Sequence, residues 1–515
     1  MHTLAIRGTC WKRWRFLLLL LAVWSVALAA PHAITASSGE GGDGNPSAAA
    51  PDGVDKLKFN NWVFLPTYLR KIAPAAPLLP TATPTAFPTA TPTLLPTATP
   101  TPSPTPPLAG VTRIEENDVQ VSYSGVWQMQ ANTSASGGAF AVTTWPLSAV
   151  EIRFAGDSFA FYRAMGPDFG QAQVSIDGRV LGLLQFNFVD SKQQAPAFFQ
   201  NLGPGQHVLR IERPPSSIVV VPMPAISVDA VLSPSPISAA PAQDEAVRRL
   251  NEARQMVGLP PLKGHLALHT AAQRHAEYFA THQAQPVMQT LGFHGESSAL
   301  SGYTGFDPTQ RAAHFGYTGL VGELGSFEGD PARGLASLLA TVYHRQLLFD
   351  FGYTDAGYGG VGDGRGNFDV INIGYNERSP NIATARGIYV YPAQGQQHVP
   401  TGWNGMEWPD PLPGASKPVG YPISLHIVQP GKRPGQTGGP GAVTAAQLTD
   451  AAGASVPVHL LSQSSDPNRL LDGDTVFLIP TQPLRAYTLY TVRVAGVDGA
   501  GNKYSHLWQF CTGGE

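Results

Sequence analysis

Histidine and acidic side chains that could bind a metal ion or activate a water molecule are concentrated in one stretch of the chain. Seven of the 14 histidines lie between residues 265 and 344. Imidazole nitrogens and carboxylate oxygens are suitable zinc ligands, and a histidine–glutamate pair can serve as a general base. No His-Glu-x-x-His pattern occurs, which excludes the zinc-protease helix. The chemical candidates are therefore single residues that the fold must bring together.

The other common catalytic patterns are missing from the sequence. There is no Gly-x-Ser-x-Gly elbow, no Ser-x-x-Lys pair and no phosphate-binding Gly-x4-Gly-Lys loop. The two cysteines are Cys10 and Cys511, and Cys10 lies in a segment that we expect to be removed. The sequence thus predicts a lone thiol, no intrachain disulfide, no cysteine zinc site and no Cys–His protease.

Composition indicates a chain rich in turns and argues against a nucleic-acid partner. Charged residues make up 13% of the chain, about half of the usual share, and 55 Gly and 47 Pro indicate many turns and linkers. The net charge is −3, and four of the cations precede residue 30. Because nucleic-acid affinity needs clustered cations against phosphates, we expect no nucleic acid to bind.

The first 29 residues have the pattern of a secretory signal peptide. Basic residues precede an apolar run from Phe16 to Leu28, and small residues flank Leu28. The run is about 13 residues long, shorter than the roughly 20 that span a bilayer. We therefore expect cleavage after Ala29, no transmembrane segment in the mature chain, and an extracellular protein that is secreted or associated with the cell surface.

A spacer follows the signal peptide. Residues 30–73 are predicted to be an N-terminal tether, and residues 74–108 a Pro/Thr-rich linker in which prolines recur at every fourth position from Pro80 to Pro100. Proline fixes φ and removes a hydrogen-bond donor. The linker is therefore expected to be disordered and extended, like polyproline II.

Residues 109–233 show the period-two alternation of β-strands, with Gly- and Pro-rich turns between the runs. The motifs YSGVW, GPDFGQAQVSIDG, LGPGQHVLRI and VDAV resemble jelly-roll β-sandwich modules fused to bacterial secreted enzymes and adhesins, which often bind carbohydrate. Four aromatic side chains could stack on sugar rings or belong to the core, and both interpretations stay open. They are Trp127, Trp145, Tyr162 and Phe169.

Residues 384–515 return to alternating strands such as TVFLIP and HLWQF. This region resembles an immunoglobulin-like β-sandwich module. A short linker at 234–241 separates the first β-region from the segment between the two.

The intervening residues, 242–383, carry a helical pattern followed by β-like segments. Apolar residues at helical spacing follow Asp244, which can cap a helix, and Gly258 is expected to end it. A second helix is predicted over residues 266–282. β-like segments at 357–362 and 368–373 complete a mixed α/β domain.

Six sequence blocks within this domain resemble the CAP superfamily of cysteine-rich secretory, antigen-five and pathogenesis-related proteins, in its bacterial secreted form. In order, the blocks are RRLNEARQMVGLPPL, ALHTAAQRHAEYFA, GFHGES, SGYTGFDPTQRAAHFGY, VGEL and YHRQLLFDFGYTDAGYGGV. The resemblance implies a three-layer α–β–α sandwich with a central cleft. Its cleft often holds two histidines and two acids that can bind a divalent metal.

Motif by motif, the resemblance assigns His294 as the first cleft histidine, Glu323 as the first acid and His344 as the second histidine. These three residues would line a ligand-binding cleft and could hold Zn²⁺. The family's second acid is missing, because no acid lies between residues 330 and 350. Glu296 and Glu328 are the nearest substitutes in the sequence.

A structural interpretation stays open beside the metal site. His294 and His344 could instead bond to loop carbonyls and to Glu323 and so fix irregular loops. The remaining histidines of the region are interpreted as surface or hydrogen-bonded helix residues. They are His265, His269, His275, His282 and His314.

The sequence leaves three functions open. The first is a non-enzymatic extracellular protein whose cleft, lined by His294, Glu323 and His344, binds a lipid or a cell-wall or carbohydrate ligand. The second is an extracellular hydrolase of peptide or wall polymer, with Glu323 as the candidate catalytic base. The third is a carbohydrate-binding surface protein in which residues 109–233 bind and the CAP domain is a scaffold.

Overall fold

The structure, a computed structural model, describes residues 110–215, 223–362, 366–376, 381–434 and 441–514. The predicted signal peptide, tether and linker lie outside these residues. Within the described ranges, every helix is too short or too polar to cross a membrane.

The first β module, residues 110–233, is built of antiparallel sheets. Its strands are β1 Thr112–Glu115, β2 Val121–Ser124, β3 Gln128–Ala131, β4 Ala139–Thr143, β5 Ala149–Ala155, β6 Phe159–Met165, β7 Gln171–Ile176, β8 Arg179–Gln185, β9 Lys192–Phe199, β10 Gln206–Glu212, β11 Ile226–Val228 and β12 Ala230–Ser233. The sheet orders are β1-β12-β6-β9, β2-β5-β10-β7-β8 and β11-β4-β3. Alternate residues of β5 and β6, among them Ile152 and Phe161, meet in one core. Because alternation places these residues on one face of each strand, the two larger sheets pack face to face as the predicted β-sandwich.

In the helical module, as described over residues 241–362 and 366–376, six helices accompany a four-stranded sheet of order β13-β15-β16-β14. Its elements are α1 Pro241–Met256, β13 Lys263–Gly264, α2 Leu266–His282, α3 Pro286–Leu291, α4 Pro308–His314, β14 Leu320–Ser326, α5 Pro331–Leu339, α6 Tyr343–Leu348, β15 Asp355–Gly362 and β16 Asn367–Tyr375. Helix α2 lies directly on β15. A Cβ atom at Gly359 would come within 2.1 Å of the Gln273 backbone, so this glycine permits the close packing of helix on strand.

The C-terminal module, residues 381–514, is again all-β. Its strands are β17 Gly387–Tyr391, β18 Gly402–Trp403, β19 Val419–Gly420, β20 Ile423–Val428, β21 Ala442–Thr449, β22 Val458–Leu461, β23 Thr475–Pro480, β24 Leu489–Val497 and β25 Lys503–Cys511. They form the sheets β17-β20-β23-β22, β21-β24-β25 and the ribbon β18-β19. Leu425 and Leu478 of one sheet share a core with Val492 and Trp508 of another, so these two sheets also pack on each other.

The three modules are packed together through buried side chains. Leu348 and Ile371 of the helical module belong to the same hydrophobic core as the C-terminal sheets. On the other side, Phe198 of the first β module packs with Leu268 and Phe315. A fully buried arginine, Arg163, also donates from Nη2 to the carbonyl oxygen of His314 at 2.9 Å.

The predicted helix over residues 266–282 is present with the predicted bounds. The preceding helix begins earlier than predicted, at Pro241 and not after Asp244, because proline at the first helical position supplies a suitable φ without losing a needed donor. Gly258, with φ of +87°, follows the end of that helix as expected. The jelly-roll, three-layer and immunoglobulin-like arrangements stay predictions.

Cys511 lies buried at the end of β25, with 3% of its surface exposed. Its potential partner in the chain, Cys10, lies outside the described residues. The absence of an intrachain disulfide therefore stays a prediction.

Candidate functional site

Glu323 lies in the middle of β14 with its side chain fully buried. Its Oε1 accepts hydrogen bonds from Arg311 Nη2 at 2.6 Å and from His294 Nδ1 at 3.0 Å. Burial acts to raise the pKa of this carboxyl group, but the charges of Arg311 and His275 and the bond from His294 lower it to about 2. Glu323 is therefore an ionised carboxylate at neutral pH.

The cation that holds this carboxylate is Arg311 on helix α4, a residue to which the sequence assigned no role. Its Nη1 donates to the carbonyl oxygen of His294 at 3.0 Å, and its Nε lies 3.8 Å from Glu296 Oε1. The guanidinium group is fully buried. Buried charges need such paired neighbours, but no local pattern distinguishes Arg311 from a surface arginine within the block SGYTGFDPTQRAAHFGY.

Glu296, one of the two predicted substitutes for the missing acid, is paired with a different histidine. His275 Nδ1 lies 2.9 Å from Glu296 Oε1, and His275 Nε2 lies 2.7 Å from the carbonyl oxygen of Phe293. The other carboxylate oxygen of Glu296 accepts the backbone N–H of Thr304 at 2.8 Å. Glu328, the second substitute, is only partly buried and uses its backbone N–H in the turn before α5.

The acid in contact with His344 is Glu407, from the C-terminal module. His344 is the second residue of α6 and is fully buried. Its Nδ1 lies 2.8 Å from Glu407 Oε1, and Glu407 is only 2% exposed. This acid follows His344 by 63 residues, in the C-terminal region to which the sequence assigned no site residue. The expectation that Glu296 or Glu328 takes this place is therefore corrected.

The two predicted histidines have the same hydrogen-bonding pattern. Each presents Nδ1 to a buried carboxylate, which can only accept, so each Nδ1 carries a proton. The Nε2 atoms of His294 and His344 and the Oε2 atom of Glu323 have no hydrogen-bond partner among the described residues. Burial, and then the nearby charges of His275 and His344, lower the pKa of His294 against the opposing effect of Glu323. Such a neutral imidazole, with its Nδ1–H held by a carboxylate, is the form in which histidine binds a metal.

The predicted cleft residues are sealed from solvent. His294 is 6% exposed, and Glu323 and His344 are 0% exposed. A group this buried is reachable by an ion or a water molecule but not by a lipid or a sugar in this conformation. The structure brings His294 to Glu323, with 3.0 Å between Nδ1 and Oε1. It brings His344 to Glu407.

Four of the other five histidines of the helical module have hydrogen-bonded rings, whereas Nδ1 of His314 has no hydrogen-bond partner among the described residues, and most of the five are not on the surface. His282 Nε2 donates to the carbonyl oxygen of Ser301 at 2.8 Å, and His265 Nδ1 accepts from the N–H of Ala267 at 3.2 Å. Those that expose 8% or less are His269, His275, His282 and His314.

A second group of ionisable residues, which the sequence analysis missed, joins the first and last strands of the first β module. Glu115, Glu116 and Asp229 place one oxygen each within 4.8 Å of one another, and within the described ranges they form the single group of at least three potential metal ligands this close together. Glu116 is 2% exposed and Asp229 1%. Each of the three has one buried oxygen without a hydrogen-bond partner among the described residues. The signal that could have found them is Asp229, an acid within the apolar run ISVDAV.

The four aromatic residues considered for sugar stacking differ in exposure. Trp145 is 54% exposed, whereas Tyr162 and Phe169 pack against hydrophobic cores. Trp127 is partly exposed, and its ring centroid lies 5.0 Å from that of Tyr123, which is 36% exposed. Thr143 forms hydrogen bonds with the backbone beside each tryptophan. Its hydroxyl donates to the carbonyl oxygen of Val126, the residue before Trp127, and accepts the backbone N–H of Trp145.

Residues 247–375 match the family model described as "Cysteine-rich secretory protein family", abbreviated CAP. The match covers a minor part of the chain, and it contains His294, Glu323 and His344 but not Glu407. It confirms the resemblance to the CAP superfamily for this segment. No curated protein sequence matches the chain.

Several solved structures resemble parts of the chain at low identity. A family 35 carbohydrate binding module from Clostridium thermocellum is 14% identical with a TM-score of 0.19, over 23% of this chain and 96% of that chain. An outer surface protein from Borrelia burgdorferi is 16% identical with a TM-score of 0.22, over 26% and 92%. The Agl-KA catalytic domain is 15% identical with a TM-score of 0.19, over 26% and 28%, so less than a third of that chain is spanned. At these TM-scores the likenesses carry no argument about function.

Proposed function

We propose that this chain is an extracellular, non-enzymatic binding protein built around a CAP module, and that the imidazoles of His294 and His344 hold a divalent metal such as zinc. The observation that carries the proposal is the pair of unpartnered Nε2 atoms, each on a ring that a buried carboxylate fixes through Nδ1. Buried polar atoms without a partner are rare in folded proteins and call for an explanation.

The residues present fit a zinc ion by type. Zinc binds imidazole nitrogen well, and both unpartnered Nε2 atoms are of this type, while Glu323 holds the far nitrogen of His294. A bound zinc ion would supply a crosslink between the loop that carries His294 and the helix that carries His344. Because the site is buried, we assign the metal a structural role that stabilises the folded module.

The hydrolase alternative is not favoured by the site. A general base works best with a pKa near the operating pH, whereas the pKa of Glu323 is held at about 2. Its Oε1 is already bonded to Arg311 and His294, and the side chain is fully buried. Glu323 therefore serves better as an orienting carboxylate than as a catalyst.

Zinc binding tests the proposal directly. After treatment of the full chain with a chelator and removal of the chelator, titration calorimetry is expected to show one zinc ion bound per chain. His294→Ala and His344→Ala should each weaken binding by more than about 100-fold, the upper range for losing only an outer partner of a ligand. His459→Ala, in strand β22, is the matched control. Unchanged affinity in both site variants would contradict the metal site.

A second activity, polysaccharide binding by the first β module, is favoured by an aromatic group in which Trp145 and Tyr123 are exposed and the partly exposed Trp127 lies against Tyr123. A contiguous exposed apolar patch can mark a contact surface. Their flat apolar faces suit the apolar faces of sugar rings. The lipid alternative has no such support, because the residues expected to line its cleft are buried.

Loss of a stacking ring is expected to weaken binding to insoluble cell-wall polysaccharide. Trp145→Ala should raise the Kd roughly tenfold, the equivalent of about 1.4 kcal/mol of lost contact. The control is Trp408→Ala in the C-terminal module, since Trp408 is 56% exposed and Trp145 54%. Pull-down of the full chain measures both variants. Equal binding by wild type and Trp145→Ala would remove this activity from the aromatic group.

A further inference from the structure

The segment that carries His344 is embedded in the C-terminal module. The Tyr343 hydroxyl donates to Asp466 and accepts from Asn468 Nδ2 at 2.8 Å. Arg345 Nη1 donates to the carbonyl oxygen of Pro422 at 2.6 Å, and its guanidinium lies 4.9 Å from the centre of the Tyr391 ring. Successive side chains of α6 are therefore held by groups that lie beyond the CAP match.

Glu407 makes the most extensive of these contacts. Its carboxylate accepts the backbone N–H groups of Val342 at 2.7 Å, of Tyr343 at 2.8 Å and of His344 at 3.3 Å. It also accepts the ring Nδ1–H of His344 at 2.8 Å. One buried carboxylate thus fixes both the backbone and the ring of the metal-binding histidine.

The loop that presents Glu407 is anchored independently of the histidine. Trp403 and Val419 pair across the ribbon β18-β19 at the base of the loop, and both are buried. They share a hydrophobic cluster with Val342 and Tyr343. Because this cluster spans the two modules, it fixes the base of the loop against the segment that carries His344.

We propose that Glu407 is a positioning residue for His344, so that metal binding by the CAP module requires the C-terminal module. The inference rests on the metal site proposed above and identifies how its second histidine is oriented. Glu323 performs the same task for His294 from within the helical module. Glu407, from the following module, thus takes the place of the second acid that the CAP segment lacks.

A carboxylate bonded to the far nitrogen of a ligating histidine fixes the tautomer and makes the ligating nitrogen more basic. Removing such a partner lowers metal affinity by about 10–100-fold. We expect this loss in Glu407→Gln, which keeps the side-chain size and one acceptor oxygen but replaces the other by an amide NH2 group and removes the charge. Asp410→Asn is the matched control, since Asp410 lies in the same loop and its carboxylate bonds to Lys417 at 2.7 Å.

The experiment measures zinc Kd by chelator competition on the full chain, together with the Co²⁺ absorption spectrum and Tm. The expected result is a Kd weaker by about 10–100-fold and an altered Co²⁺ spectrum for Glu407→Gln, with Asp410→Asn like wild type. If Glu407→Gln binds zinc like wild type while His344→Ala does not, the positioning role is overturned and the metal site stands. If wild type binds no zinc, the metal site itself fails, and the positioning role fails with it.

A measurement on the wild-type chain keeps the inference testable even if Glu407→Gln does not fold. Coupling between two parts of a protein is reciprocal, so zinc should slow hydrogen exchange at the amides of Val342 and Tyr343 and in the loop 404–410. Exchange of a distant strand such as β24 should not change. Zinc bound with no slowing in the loop would overturn the coupling between the modules.

Discussion

Replacing Arg311 by methionine is expected to destabilise the helical module by about 3–5 kcal/mol, the range for breaking a buried ion pair from one side. The substitution leaves Glu323 buried and ionised without its main cation, and the carbonyl oxygen of His294 without a donor. Methionine has a similar length, so packing changes little. Urea unfolding, followed by hydrogen exchange in helix α2, reports on this module separately from the β modules.

The control for this result is Arg333→Met in helix α5. The Arg333 side chain is 67% exposed, and its closest acid, Asp330, is 3.9 Å away, so the expected change is within about 0.5 kcal/mol. Adding Glu323→Gln to Arg311→Met should recover part of the lost stability, because no charge is then left unpaired. A loss below about 1 kcal/mol in Arg311→Met would contradict a charged, buried network.

The ion pair of Arg311 and Glu323 also predicts how the stability of the helical module depends on pH. The pKa of Glu323 is about 2 in the folded protein and about 4.5 for a free glutamate. Its stabilising contribution is therefore complete above about pH 4.5 and is lost as the pH falls towards 2. In Arg311→Met this loss should be smaller, because the folded-state pKa is no longer held low.

The fold was predictable where the signal is local. Helix α2 follows from apolar residues at helical spacing over 266–282, and strands such as β5 and β10 of the first β module follow from alternation. Buried arginines such as Arg163 and Arg345 carry no such signal, because their burial depends on carbonyl oxygens and rings supplied by neighbouring modules. The packing of the modules on one another was therefore not foreseen.

The candidate site was predictable in its histidines and only half predictable in its acids. His294, Glu323 and His344 were assigned by motif. Glu407 was not, since it lies in the following module and only three-dimensional packing brings it to His344. The burial of these four residues also could not be inferred from the sequence, because charged and polar side chains are mostly exposed in proteins.

Calcium is expected to stabilise the first β module through Glu115, Glu116 and Asp229. Burial, and the negative charge of Glu115, raise the pKa of both Glu116 and Asp229 to about 7. Near neutral pH these buried carboxylates therefore repel each other, and their unpartnered oxygens lie in one small group. Calcium takes carboxylate oxygens as ligands, and a cation at this group would offset the repulsion between the carboxylates. It would also stabilise the pairing of strand β1 with β12.

At calcium concentrations about 100-fold above Kd, binding contributes about 2.7 kcal/mol. For a module of this size, the Tm should rise on the order of 10 °C. Differential scanning calorimetry of the full chain with calcium and with a chelator measures this shift. Asp229→Asn should abolish it, whereas Asp190→Asn, at an exposed position of the same module, should not.

The pH dependence separates calcium binding from simple protonation. A carboxyl group whose folded pKa is raised stabilises the protein at acid pH, and that stability is lost as the pH rises through about 7. Without calcium, the Tm of the first β module should therefore fall as the pH rises from the ordinary carboxyl pKa, 4.5 for Glu116, to the raised pKa of about 7. With calcium the fall should disappear, since the ion replaces the protons and binds more tightly as they leave. A Tm that falls equally with and without calcium would contradict calcium binding, because only protonation would then remove the repulsion between the carboxylates.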